Sequence, residues 1–313
     1  MPNPTGALLV AGGAADPNLT RLIEVAVGLG VPVADARHHA KESPAFSWAM
    51  GPNLGSTPES GVQNESPTIA GQPLSPSGAF IRYDVFSGLS AAGQPTANPD
   101  VSQRAAGWYQ TVYGWLLSQP SIGLFNRHAL PIAGNKPATL VLAQQLGLSI
   151  PKTLITNEES RINQLGTQGF VAKPTAGGDF CYSLEKLLAT VQFVQGRAAT
   201  PAIVQNRLSA PEVRIYIIGQ QAFAFEMRSE SLDYRVKQDA EVIPLATVPP
   251  EAEQLKVLMN KLQMTFGAAD FKSDPHTGEL VFLELNSSPM FVRFDLTVQG
   301  ALCAAMVREL VGE

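Results

Sequence analysis

Residues 267–289 read GAADFKSDPHTGELVFLELNSSP. Asp270 lies in a first apolar run, Pro275 and Gly278 punctuate a turn, and Glu284 and Asn286 lie in the run that follows. Strand side chains alternate between faces, so Glu284 and Asn286 share one, and a hairpin brings Asp270 beside them. Two carboxylates and a carboxamide make an oxygen-rich set, the kind Mg²⁺ accepts when substrate phosphates complete its shell. Leu283 and Leu285 are expected on the buried face. A solvated hairpin with its polar residues facing water is the alternative reading.

Upstream, Lys136 in GNKPATLVLAQQLGLSIPKTLITN and Lys173 in GFVAKPTAGGDF each stand near glycine at the edge of an apolar segment. An ammonium there can reach phosphate oxygens, although two surface lysines with solvated heads would look the same. Thr175, Ala176, Gly177 and Gly178 can bring backbone N–H groups close to phosphate, because glycine has no Cβ. The segment PAIVQNRLSAPEVRIYIIGQQAFAFEMRSES (201–231) reads as strand, linker and strand.

Taken in order, a lysine, a lysine with a glycine loop, the strand pair and Asp…Glu-x-Asn resemble the ATP-grasp superfamily. Within it, the chain is similar to the branch of ribosomal-protein glutamate ligases, glutathione synthetases and ligases that macrocyclise ribosomal peptides. The resemblance covers residues 123–310. It implies an α/β (α+β) fold in three parts: an N-terminal βαβ domain (1–122), a central subdomain with the glycine loop (123–200) and a C-terminal subdomain with the metal site (201–313).

It also implies ATP with one or two Mg²⁺, Mn²⁺ being an alternative, and transfer of the γ-phosphate to a carboxylate. The resulting acylphosphate is attacked by an amine or hydroxyl of a small-molecule or peptide substrate. On this pattern Lys136 and Lys173 contact phosphate, and Thr175, Gly177 and Gly178 form a lid. Main-chain groups of Gln205, Asn206 and Leu208 read adenine, and Glu212 holds the ribose, a surface turn being its alternative. Asp270, Glu284 and Asn286 hold the metal, Arg214 braces the site, and Arg228 faces the γ-phosphate. Arg235, Ser288 and Arg293 are implied near substrate. Structural salt bridges are the competing reading for Arg214 and Arg235, and a pair with Asp295 for Arg293. The glycine loop is shorter than in several relatives, and MFVRFD (290–295) stands where the macrocyclases tend to carry a tryptophan-bearing segment.

The 313 residues, 45% hydrophobic and 16% charged, suffice for a sizeable core in two or three parts. A net charge of −5 without a basic stripe argues against a general nucleic-acid binder. Cys181 and Cys303 suggest no disulfide framework. No signal-peptide pattern or membrane-length apolar run occurs, so a cytoplasmic protein is expected, with a homodimer compatible.

Strands are expected at 7–11, 31–37 and 79–87, and helices at 18–30, 101–118 and 137–147. Trp108, Val112 and Trp115, at spacings of four and three, belong to a packed helix face. Gly12 and Gly13 lack the full G-x-G-x-x-G spacing, which makes them structural. Residues 41–78 read as a long irregular connection with a short strand or two. Arg82 and Asp84 suit an ion pair or a substrate contact. His38 and His39, as neighbours, point to opposite faces and read as loop residues or substrate contacts.

Overall fold

The computed structural model describes residues 6–39, 43–50, 66–86, 99–176, 181–229 and 240–312. The chain forms two compact units, Met1–Arg127 joined by Met290–Glu313, and His128–Pro289.

In the first unit β1 (Leu8–Gly13) leads through α1 (Pro17–Gly28) to β2 (Val33–His38). The local sequence sets this crossover: the Asp16 carboxylate accepts the Asn18 N–H at 2.8 Å and caps α1, Pro17 opens the helix, and Leu19, Leu22 and Ala26 are buried. Three two-residue strands follow, β3 (Phe46–Ser47), β4 (Thr68–Ile69) and β5 (Gln72–Pro73), and pair antiparallel. Next come β6 (Gly78–Ile81), α2 (Pro99–Leu117) and β7 (Gly123–Leu124). The main sheet is parallel in the order β2-β1-β6-β7. All six residues of β1 are buried, as a parallel strand covered on both faces requires. Val112, Trp115 and Leu116 of α2 pack with Leu9 and Ala11, which bears out the apolar helix face. The strand expected at 79–87 ends at Ile81, and His38 ends a strand rather than lying in a loop.

The second unit holds two antiparallel sheets. Its helices and strands are α3 (Lys136–Gln145), β8 (Thr153–Glu158), α4 (Glu159–Leu165), β9 (Phe170–Pro174), β10 (Tyr182–Ser183), α5 (Leu184–Leu188), β11 (Arg197–Asn206), β12 (Ser209–Ile218), β13 (Gln221–Arg228), β14 (Glu241–Pro244), α6 (Glu251–Lys261), β15 (Phe266–Ser273) and β16 (Leu280–Asn286). The sheet orders are β10-β9-β11-β8 and β14-β13-β12-β15-β16. Leu140 and Ala143 of α3 and Leu255, Leu258 and Met259 of α6 bury one face of the five-stranded sheet against Val213, Ile215, Ile217, Ala269 and Phe271. The alternate positions face the other way, where Arg214, Asp270 and Glu284 stand beside the buried Tyr216, Phe225 and Ala268.

After Pro289, α7 (Val292–Thr297) and α8 (Ala301–Val311) rejoin the first unit. A Cβ at Gly78 or Gly123 would lie 2.3 or 2.0 Å from the Leu310 carbonyl oxygen, so glycine is what lets the end of α8 approach β6 and β7.

Candidate active site

The polar face of the five-stranded sheet follows from its register. Arg214 on β12 stands opposite Asp270 on β15, and Asp270 opposite Glu284 on β16, while Asn286 stands opposite Ala268. Residues directly opposed share a face, so Arg214, Asp270, Glu284 and Asn286 project together. The hairpin of the opening motif exists, and it holds one surprise. A β-bulge shifts the pairing between Asp270↔Glu284 and Phe271↔Phe282, leaving Leu283 as the extra residue. The buried side chains are therefore Phe282 and Leu285, correcting the expected Leu283 and Leu285.

Each carboxylate on this face has a cation. Arg214 forks onto Asp270, Nε to Oδ1 at 2.6 Å and Nη2 to Oδ2 at 2.8 Å. Such a planar bidentate pair fixes both side chains, and removing one partner from a buried pair of this kind costs about 3–5 kcal/mol. Lys136 Nζ lies 3.1 Å from Glu284 Oε2. Asn286 donates its amide to Asp270 Oδ2 at 3.4 Å, and a half-turn of that amide presents its oxygen instead. Lys136 is the first residue of α3, which Asn135 caps. A cation at the positive end of a helix works against the macrodipole, which marks the position as one for binding anions rather than for stability.

Lys173 on β9 completes the cluster from the other sheet of the same unit. Its Nζ lies 3.4 Å from the Leu283 carbonyl, the group exposed by the bulge. Burial pushes its pKa down, the Glu284 carboxylate pulls it back up, and the Lys136 charge pushes it down again. It is an ammonium in need of negative charge.

Glu212 is two residues before Arg214 and faces Lys272, Nζ to Oε2 at 3.5 Å. Burial, reinforced by Asp270, raises its carboxyl to about 7. Lys272 escaped the sequence reading, although the spacing Asp270-x-Lys272 carries the same period-two signal that placed Glu284 and Asn286. The cluster thus has four cations (Lys136, Lys173, Arg214, Lys272) against three carboxylates, of which Glu212 titrates near neutrality. A polyphosphate suits that balance, and the Asp, Glu and Asn oxygens suit a hard cation brought with it. Among the described residues no three His, Cys, Asp or Glu side chains gather as a metal set, so the Asn286 carboxamide is needed for a third ligand.

The other expected residues are dispersed. Gln205 is buried on β11, its amide donating to Thr153 Oγ1 at 3.0 Å, and the Asn206 Oδ1 accepts the Lys152 N–H at 2.7 Å. Both side chains thus tie β11 to the start of β8. Leu208 lies in the two-residue turn between β11 and β12, and Thr175 directly follows β9. Arg228 ends β13 as an exposed side chain paired with Glu226; strand alternation puts it on the face opposite that of Phe225, the cross-strand neighbour of Arg214. The structure does not bring Arg228 to the Asp270–Glu284 face. Gly177, Gly178 and Arg235 lie outside the described residues.

In the first unit Arg82 donates from Nε to Asp16 Oδ2 at 2.9 Å, while Asp84 lies 3.2 Å from His38 Nε2. Arg293 and Ser288 are exposed, and Asp295 is held by Arg21 at 2.7 Å and by the Cys303 N–H at 2.8 Å. Among the described residues no helix is long and apolar enough to cross a membrane.

No family model and no curated protein matches the chain. Solved structures do. The ATP-grasp ligase PsnB complexed with minimal precursor, Mg and ADP superposes with a TM-score of 0.70 at 20% identity, over 99% of each chain. The macrocyclase MdnC of Microcystis aeruginosa, bound with its precursor peptide MdnA, gives 0.67 at 21% identity, over 98% of this chain and 100% of that one. D-alanine–D-alanine ligase of Bacillus anthracis gives 0.54 at 13% identity, over 98% and 96%. The α/β architecture thus matches that of these ATP-grasp ligase structures over nearly the whole chain.

Proposed function

We propose that the protein is an ATP-dependent, ADP-forming ligase that joins a carboxylate to an amine through an acylphosphate, with amino acids or peptides as substrates. The observation that carries this reading is the single cluster of Lys136, Lys173, Arg214, Asp270, Glu284 and Asn286, drawn from α3 and three sheet strands plus β9 of one unit. Phosphoryl transfer to a carboxylate needs orientation and offset of charge more than a covalent side chain, and this cluster supplies both.

In this account Lys136 and Lys173 take phosphate oxygens, and Lys136 exchanges Glu284 for them. Asp270, Glu284 and Asn286 would hold Mg²⁺, or Mn²⁺, and the ion would supply positive charge against the phosphates. Arg214 keeps the Asp270 carboxylate in one orientation. Main-chain groups at Gln205, Asn206 and Leu208 meet the adenine edge, since the side chains of the first two are engaged with β8. Glu212 takes the ribose hydroxyls, and a carboxyl near neutrality can both accept and donate there. Arg228, paired with Glu226 on the other face of the sheet, has no part in this account. The two sheets of the second unit support the expected pair of nucleotide-clamping subdomains.

A second reading, a peptide macrocyclase making amide or ester links, is favoured by end-to-end similarity to ligases bound with precursor peptides. Both are tested together. Mg²⁺-ATP is supplied with pooled amino acids, short peptides and polyamines; ADP is measured and products weighed, with Glu284→Ala in parallel. Substrate-dependent ADP and a product lighter than its two parts by one water, both lost in the variant, are the expected result. A peptide that loses water internally selects the second reading. Turnover equal in wild type and variant rejects both.

A further inference from the structure

The five-stranded sheet carries its charged groups on two successive rungs. Phe225, Arg214, Asp270 and Glu284 oppose one another across β13, β12, β15 and β16. Two residues along β12, β13 and β15, Met227, Glu212, Lys272 and Val281 do the same. Strand alternation puts both rungs on one face, about 7 Å apart. The first holds two of the proposed metal ligands. The second holds an ion pair, Lys272 Nζ to Glu212 Oε2 at 3.5 Å, bounded on its two sides by the buried Met227 and Val281.

Charge crosses over between the rungs. Arg214 on β12 faces Asp270 on β15, whereas Glu212 on β12 faces Lys272 on β15. Asp270 is already forked by Arg214, so Lys272 serves the carboxyl on its own rung. The register slips just before that rung: Ala210 and Pro211 are extra residues between Ser209↔Ser273 and Glu212↔Lys272. Irregularities of this kind beside a site re-aim the side chain that follows. The Lys272 and Glu212 side chains keep 19% and 15% of their surface exposed, so the pair is within reach of a solute. With these two set against each other, Lys136, Lys173 and Arg214 remain with Asp270 and Glu284, still a surplus of positive charge for a polyphosphate.

We propose that Lys272 is a positioning residue that anchors Glu212 against the vicinal hydroxyls of a ribose, and that the pair makes the site select ribonucleotides over 2′-deoxyribonucleotides. A glutamate side chain has several rotatable bonds, and hydrogen bonds weaken steeply out of line. With Oε2 held by an ammonium, the carboxylate keeps one plane and offers its remaining lone pairs to two adjacent O–H groups at once. A sugar lacking one hydroxyl forfeits one of these bonds. A nucleotide laid along the strands has its phosphates at the first rung and its sugar at the second. This role rests on the ligase reading, since it needs a nucleotide on the polar face of the sheet.

Calorimetric titration of the full chain with Mg²⁺-ADP and with Mg²⁺-2′-deoxy-ADP tests it. Wild type should bind ADP more tightly by about tenfold or more, the worth of one charge-assisted hydrogen bond. Lys272→Met removes the ammonium and keeps most of the stem; it should cut that ratio several-fold, and Glu212→Ala should do the same. The double variant should lower the ratio no further than Glu212→Ala alone, because both changes break one interaction. A disturbance of packing alone weakens both nucleotides together and leaves the ratio standing. A ratio preserved in Lys272→Met while both affinities fall would make Lys272 a phosphate contact and overturn the proposal, as would a further drop in the double variant. Equal binding of the two nucleotides by wild type would also overturn it, and that comparison holds even if a variant fails to fold; nucleotide binding, and the ligase reading with it, would then still stand. If wild type binds neither nucleotide, the ligase reading falls and takes this role with it.

Discussion

Replacing Glu212 by glutamine should stabilise the protein at alkaline pH and leave it unchanged in acid. Glu212 is recessed between Arg214 and Lys272, and burial beside Asp270 raises its carboxyl from 4.5 to about 7. In the unfolded chain the same group ionises near its ordinary value. Between these two values the folded protein retains a proton that the unfolded chain has released, so stability falls as pH rises through that window and stays lowered above it. A shift from 4.5 to about 7, at about 1.4 kcal/mol per pH unit, corresponds to roughly 3 kcal/mol. Glutamine keeps the shape of the protonated acid and cannot ionise. Urea unfolding of both proteins across the window should show equal stability below pH 4.5 and a glutamine advantage of roughly 3 kcal/mol above pH 7. A difference independent of pH, or a less stable variant at alkaline pH, would refute the reasoning.

Three further outcomes follow from particular residues. Because burial depresses Lys173, phosphate placed beside it should raise its pKa, so Mg²⁺-ADP binding at alkaline pH should take up protons. Calorimetry in buffers of different ionisation enthalpy detects this, and Lys173→Met should abolish it. Leu258→Ala, in the core beneath the five-stranded sheet, should lower unfolding stability by about 2–5 kcal/mol. The Cys303 thiol is buried and pushed far up by desolvation and by Asp295, so a thiol reagent should label it only after unfolding, as read by peptide mass.

The parts of this architecture legible in the sequence are those set by local chemistry. A helix was legible at 18–30, the 108/112/115 spacing announced the packed face of α2, and residues 41–78 read as an irregular connection with short strands, which β3, β4 and β5 are. The ATP-grasp order of lysines, strands and Asp…Glu-x-Asn pointed to the fold that superposition shows. What escaped depends on register and on contacts distant in sequence. A one-residue bulge moved Leu283 out of the core and turned its carbonyl toward Lys173, an effect that no count of periods foretells. Arg82 found its partner across 66 residues in Asp16, and the tie between Asn18 and the backbone of Phe291 and Val292 spans 273 and 274. Lys272 was readable from its spacing to Asp270, but only pairing with β12 reveals Glu212 as its partner.

The proposed reaction cleaves ATP to ADP while a carboxylate oxygen is transferred to phosphate. The direct measurement is turnover with ¹⁸O-labelled carboxylate substrates, reading nucleotide and phosphate by mass. The account predicts ADP together with inorganic phosphate carrying one ¹⁸O, and loss of both signals in Glu284→Ala. AMP as the nucleotide product, or phosphate free of ¹⁸O while the ligated product accumulates, would contradict it.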